Sequence, residues 1–224
     1  EVSKALERHG LTDNTLVIFT SDNGTSKAAG IDKLEAQGHF PSAHLRGSKA
    51  DLWDGGHRIP FIVRWPGRVK AGSQNDQLIC LTDLLSTTAE ILGARVPAGS
   101  AEDSVSFLPA LKGKRIVSTR NGVIHHSYTG HFAYRHGKWK LLLARASGGW
   151  SSPTEKEAKG EPLEAQLYDM EKDVGETNNL YAKNPEVAER LLALLAADVN
   201  AGRSTKGPKS MNDVADIVLW KNGR

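Results

Sequence analysis

The sequence predicts an α/β protein: a mixed sheet flanked by helices over residues 1–113, a small antiparallel sheet carrying one long packed helix over 114–203, and a polar tail over 204–224. Three observations carry this. Two apolar runs of strand length alternate with helix-like stretches in the first half. After Gly113 the pattern breaks into short alternating segments separated by turn residues. Near the end, an apolar stripe at helical spacing runs from a cap signal to a glycine.

In order, residues 1–10 read as the end of a helix, with Val2, Ala5 and Leu6 on one face and Gly10 as its stop. No cap signal or Met precedes it, so the chain reads as the C-terminal part of a longer protein. Residues 15–20 form a continuous apolar run, the pattern of a strand buried on both faces as in a parallel sheet. Residues 21–57 are polar, Gly-rich and aperiodic, a loop long enough to suggest function. A second strand follows at 60–65, closed by Pro66-Gly67. Residues 82–93 read as a helix capped by Thr82 and ended by Gly93. Short strands are expected at 122–127, 132–135, 139–144 and 166–169, with His136-Gly137-Lys138 as a hairpin turn. Residues 147–162 read as a surface loop with solvated charges. Asn184 and Pro185 open the long helix, Val187, Leu191, Leu194, Leu195 and Val199 form its stripe, and Gly202 ends it. An apolar patch at 214–220 is placed to dock back.

Composition excludes several classes. The 224 residues are 39% hydrophobic and 25% charged, with a net charge of +3 and no block of like charge to hold nucleic acid. No apolar run approaches the roughly 20 residues that span a bilayer. The one cysteine, Cys80, rules out an intrachain disulfide framework and reads as a buried structural thiol.

The chemistry gathers in the long loop. Ser21-Asp22-Asn23-Gly24 follows the first strand directly. A carboxylate and an amide carbonyl are hard oxygen ligands for Ca²⁺ or Mg²⁺, and the end of a buried strand is where α/β proteins build sites. The same residues also suit a tight turn with Gly24 at positive φ. Two ligands are fewer than the six to eight oxygens Ca²⁺ takes, so the remainder would lie upstream.

Residues 44–67, HLRGSKADLWDGGHRIPFIVRWPG, extend the pattern. Ser-Asp-Asn-Gly, then Gly-x-Lys, Gly-Gly-x-Arg-x-Pro-Phe and Trp-Pro-Gly, resemble the sulfatase family of the alkaline-phosphatase-like superfamily. LTDLLSTTAEILG, SVSFLPALKG, RHGKWKLLL and LYDMEKDVGETNNLY are similar to later segments of that family, in the right order. The resemblance covers residues 1–203. It implies an alkaline-phosphatase-like fold and hydrolysis of sulfate esters, with a sulfated small molecule or carbohydrate as substrate. It also implies a periplasmic or secreted location.

On this resemblance Asp22 and Asn23 match two ligands of the family's Ca²⁺, and Lys49 matches the lysine on the sulfate group. Arg46 could bind sulfate or sugar hydroxyls through its planar fork, or brace the loop through backbone carbonyls. His57 could touch substrate or make a structural hydrogen bond. Arg58 reads as a buried ion-pair partner. His125 and His126 alternate on a strand, so one at most faces the site, and His126 is taken as that one. Trp53, Trp65 and Trp139 read as core aromatics; Trp150 could stack on a sugar or pack its own loop. The family's nucleophile is a formylglycine made in a Cys/Ser-x-Pro/Ala-x-Arg motif, and no such motif occurs here. The expectation is therefore a Ca²⁺-dependent sulfatase whose formylglycine and remaining ligands lie upstream, with this chain inactive alone. A phosphatase or phosphodiesterase of the superfamily, or a non-catalytic binding module on a sulfatase fold, are the alternatives.

Overall fold

The computed structural model describes residues 1–97, 99–117 and 120–221, so the last three residues of the predicted tail lie outside the described residues. The chain divides into two compact units, Glu1–Asp22 with Pro60–Thr119 and Asn23–Ile59 with Arg120–Arg224. The units do not follow sequence order: the long polar loop belongs with the C-terminal sheet and not with the strands that flank it.

In the first unit, helix α1 (Val2–Arg8) is followed by Gly10 at φ 63°, and buries none of its residues. Strands β1 (Val17–Thr20) and β2 (Phe61–Arg64) pair with each other, in the register Val17↔Arg64 through Thr20↔Phe61. The pairing is antiparallel, which corrects the parallel expectation for residues 15–20. The strands are also not buried on both faces, because Phe19 is 64% and Ile62 60% exposed. Continuous apolar sequence reports a strand's capacity for burial; whether anything covers it is a tertiary matter.

Helix α3 (Asp83–Leu92) ends as expected at Gly93, φ 63°; the short helix α2 (Ile31–Ala36) lies in the second unit. Thr82 makes no capping bond. The buried Asp83 instead ties the helix start to its surroundings, accepting the N–H groups of Cys80 at 2.9 Å and Val105 at 2.8 Å. Thr87 donates to the Asp83 carbonyl at 2.7 Å and accepts from the Phe107 N–H at 3.0 Å. These bonds stitch α3 to the segment leading into α4 (Leu108–Leu111). Phe61 packs edge-on against Phe107 with ring centroids 5.3 Å apart. Cys80 is only half-buried, with Sγ 2.9 Å from the Thr82 hydroxyl, which corrects the buried-thiol expectation.

The second unit is built on an antiparallel meander of β3 (Val123–His126), β4 (Phe132–His136), β5 (Trp139–Leu142) and β6 (Gln166–Asp169), in that spatial order. Side chains alternate across a sheet, and both faces are used. Phe132, Tyr134, Leu141 and Leu167 pack against Ala188, Leu191 and Leu195 of helix α5 (Pro185–Ala201). Ala133, Leu142, Tyr168 and Met170 pack against Leu52 and Trp53 of the long loop. The registers Tyr134↔Leu141↔Leu167 and Ala133↔Leu142 put each set on one face. Pro185 at the first turn, Glu186 beside it and Gly202 at φ 65° bound α5 as predicted, although Asn184 makes no side-chain cap. Ile217, Leu219 and Trp220 of the tail do dock on the α5 core. The long loop holds one short helix, α2 (Ile31–Ala36).

Candidate active site

In the second unit the backbone of residues 23–25 is bonded to both ends of the segment 47–56. The Gly24 N–H donates to the Gly56 carbonyl at 3.0 Å, and the Lys49 N–H donates to the Thr25 carbonyl at 2.9 Å. The Gly55 N–H closes the segment on the Arg46 carbonyl at 2.7 Å. This interlock requires glycine for closeness. A Cβ at Gly24 would lie 1.7 Å from the Gly55 carbonyl oxygen, and one at Gly55 2.2 Å from that of Gly47. Gly24 is not at positive φ, so the tight-turn explanation is replaced by close backbone approach.

Asp22 ends the first unit and is exposed, with the Ser21 hydroxyl donating to its carboxylate at 3.4 Å. Asn23 opens the second unit, half-buried, and its side-chain amide donates to the Gly24 carbonyl at 3.0 Å. Lys49 is half-buried within the interlocked segment. Arg46 is a brace: its guanidinium lies 3.6 Å over the Trp53 ring and donates to the Glu176 carbonyl at 2.7 Å. Trp53 is buried, as expected of a core aromatic.

His57 meets His125, ring centroids 4.2 Å apart and tilted 53°. Each ring also bonds a backbone carbonyl, Asp51 for His57 and Leu52 for His125. Nε2 of both is buried with no hydrogen-bond partner among the described residues. Burial and the Lys140 ammonium push His57 down to about 4, and burial pushes His125 well below its ordinary value, so both rings are neutral. His126 instead is exposed and lies against the Phe132 ring, centroids 4.3 Å apart. Of the alternating pair it is His125 that reaches the loop, which corrects the choice of His126.

Sequence reasoning missed what holds the segment 51–57. Lys140, fully buried, places its ammonium 2.7 Å from both the Asp54 and Glu176 carboxylates. Glu176 accepts the Asp54 N–H through its other oxygen at 2.5 Å. One cation thus serves two buried carboxylates, with unequal effect. Burial raises both, but Lys140 holds Asp54 below the ordinary range while Glu176, also facing Asp54, stays above it. Arg58, expected as the buried partner, is 56% exposed and 3.8 Å from Asp54. The signal was available: Lys140 lies between Trp139 and Leu141 in a strand whose alternation turns position 140 toward the loop.

Asp51 is the second hidden brace. Fully buried, it accepts the N–H groups of Ser48 at 2.7 Å, Trp150 at 2.8 Å and Ser151 at 3.0 Å. Glu155 accepts those of Arg145, Ala146 and Gly148. The charge of the 147–162 segment is therefore not merely solvated; it closes the loop that carries Trp150.

Asp22 and Asn23 each carry a side-chain oxygen of the hard type that suits calcium. Among the described residues no group of three or more His, Cys, Asp or Glu is disposed to hold a metal. No helix among them is long and apolar enough to cross a membrane.

Known proteins resemble this chain over most of its length. A family model described as Sulfatase matches residues 1–94, and one described as N-sulphoglucosamine sulphohydrolase, C-terminal, matches residues 48–145. The chain is 35% identical to the N-acetylgalactosamine-6-O-sulfatase of Bacteroides thetaiotaomicron over 198 residues, 87% of this chain and 38% of that protein. It is 28% identical to the steryl-sulfatase of Mus musculus, over 98% of this chain and 38% of that protein. A solved structure from Bacteroides thetaiotaomicron, described within the metabolism of multiple glycosaminoglycans, matches with a TM-score of 0.74 at 33% identity. The match covers 88% of this chain and 41% of that one. The chain thus spans about two fifths of the length of these proteins.

Proposed function

Because the chain belongs to the sulfatase family, we propose that its parent protein hydrolyses sulfate esters of carbohydrate, with Lys49 on the sulfate group and Asp22 and Asn23 on a Ca²⁺ ion. One observation carries the reading: Asn23 and Lys49 depart from a single hydrogen-bonded frame, Gly24 to Gly56 and Lys49 to Thr25. Residues 26 positions apart in sequence are thereby fixed in one unit.

Lys49 supplies a compact positive charge to the sulfate oxygens and to charge developing on the leaving oxygen. Asp22 and Asn23 supply hard oxygens, which suit Ca²⁺ with its irregular shell better than Mg²⁺ with its octahedral demand. The ion, when bound, draws charge from the sulfate oxygens. Arg46 keeps the segment in place through Trp53 and the Glu176 carbonyl. The nucleophile, a formylglycine, and the remaining acidic ligands come from upstream of Glu1, and the 224-residue chain by itself is inactive. The parent protein works in the periplasm or outside the cell. The carbohydrate preference is supported by the name of the Bacteroides relative.

The test uses the full-length protein with an aryl sulfate, a sulfated sugar and an aryl phosphate. Lys49→Ala is expected to lower kcat/KM for sulfate release about 10²–10³-fold. Asp22→Ala and Asn23→Ala are expected to remove the thermal stabilisation that Ca²⁺ gives the wild type. Turnover of the phosphate ester alone would move the protein to the phosphatase reading. Tight sulfate binding without turnover of any ester would mark a non-catalytic binding module.

A further inference from the structure

Tyr128 and Trp150 are 72% and 38% exposed, and their rings lie side by side, centroids 5.3 Å apart and tilted 52°. Neither hangs on a loose loop. The Tyr128 N–H donates to the Ala50 carbonyl at 2.9 Å, and the Trp150 N–H donates to the buried Asp51 carboxylate at 2.8 Å. Both aromatics are thus fastened to the two residues that follow Lys49. Gly149 presses so closely that a Cβ there would lie 2.3 Å from the Ala50 carbonyl oxygen. Ala50 itself is held at φ 84°, a conformation costly for a side-chain-bearing residue and one that surrounding structure must enforce. Two large rings kept out of the core on an immobilised frame are the mark of a binding surface.

We propose that Tyr128 and Trp150 form the platform on which the sugar ring of a sulfated carbohydrate lies while its sulfate group reaches Lys49. The sulfate end rests on the function proposed above; the platform is a separate assignment. The chemistry selects a sugar over a flat apolar ligand. Aromatic faces receive the C–H face of a pyranose, whose rim of hydroxyls needs polar neighbours. Here the neighbours are small and polar: residues 147–152 read Ser-Gly-Gly-Trp-Ser-Ser. Ser48 and Ser151 sit with their hydroxyl oxygens 3.3 Å apart, and the Lys27 ammonium is anchored on the Trp150 carbonyl. A sterol would need an enclosing apolar wall, and these residues do not supply one.

The test titrates the full-length protein with 6-O-sulfated N-acetylgalactosamine, inorganic sulfate and a sterol sulfate, following heat and tryptophan fluorescence. Trp150→Ala is expected to weaken the sulfated sugar about tenfold, Tyr128→Ala about threefold, and neither to move inorganic sulfate by more than about twofold. Trp150→Phe keeps a π face and should retain most of the affinity, while circular dichroism confirms that each variant is folded. Sugar affinity unchanged within about twofold in Trp150→Ala, or a dependence on Trp150 confined to the sterol sulfate, overturns the platform. Sugar binding that needs Trp150 but not Lys49 leaves the platform standing and removes the sulfate role of Lys49. Binding of none of the three overturns both.

Discussion

In the first unit the β1–β2 ribbon leaves Phe19 64% and Ile62 60% exposed, and α1 buries nothing. In the second, β4 and β5 bury Phe132, Ala133, Tyr134, Leu141 and Leu142 to 6% exposure or less, on both faces at once. The strands of the ribbon, VIFT and FIVR, are if anything more apolar than those of the meander, VIHH, FAYRH, WKLL and QLYD. What differs is cover: α5 lies on one face of the meander and residues 52–53 on the other, whereas the two-stranded ribbon has two open edges among the described residues. An apolar strand gains stability only from what packs on it, and an open two-stranded ribbon is marginal. The second unit carries the interlocked loop, so the proposed sulfate and sugar contacts stand on the better-packed half of the chain.

The sharpest way to break this contrast is Lys140→Met. It leaves Asp54 and Glu176 buried without their cation, which costs about 3–5 kcal/mol. Urea denaturation should show the second unit losing most of its stability, while β1–β2 amide signals shift little. An unchanged midpoint would mean that the buried ionic group does not hold the unit together.

Acid should expose the same contrast more gently. His57 is held neutral down to about 4 in the folded protein, against 6.5 when unfolded. Between those values the unfolded chain binds the extra proton, so stability falls as pH drops from 6.5 toward 4. Asp54, depressed in the folded state, adds a loss in the same direction at lower pH. His57→Gln should flatten the upper part of that fall, read by amide exchange of β4 and β5 between pH 7 and pH 4. An identical profile in the variant would remove His57 as the cause.

The smallest effect belongs to the ribbon. In the 224-residue chain, Phe19→Thr with Ile62→Thr should change unfolding free energy by no more than about 0.5 kcal/mol, because those faces are already in water there. It should reduce self-association measured by sedimentation. In the wild type, amides of β1 and β2 should exchange faster than those of β4 and β5. Equal protection in the two sheets would show that the ribbon is more stable than its exposure implies.

By itself the sequence determined the elements whose signals are local. Gly93 and Gly202 ended their helices, Pro185 opened α5, Gly137 turned the hairpin, and the order of short motifs was enough to indicate the sulfatase family. It also put Asn23 and Lys49 forward as site residues, Asn23 because an amide beside a carboxylate after a strand offers hard oxygens, and Lys49 only through the resemblance of its motif to the sulfatase family. Tertiary structure decided what depends on partners distant in the chain. It set β1 against β2 antiparallel, gave the loop 23–59 to the C-terminal unit, and brought His125 rather than His126 to His57. It made Arg46 a brace, and it matched Asp54 with Lys140 and Glu176, 86 and 122 positions away. A helix stop is written in one residue's preferred φ; a buried charge finds its partner only after the sheet has brought the two together.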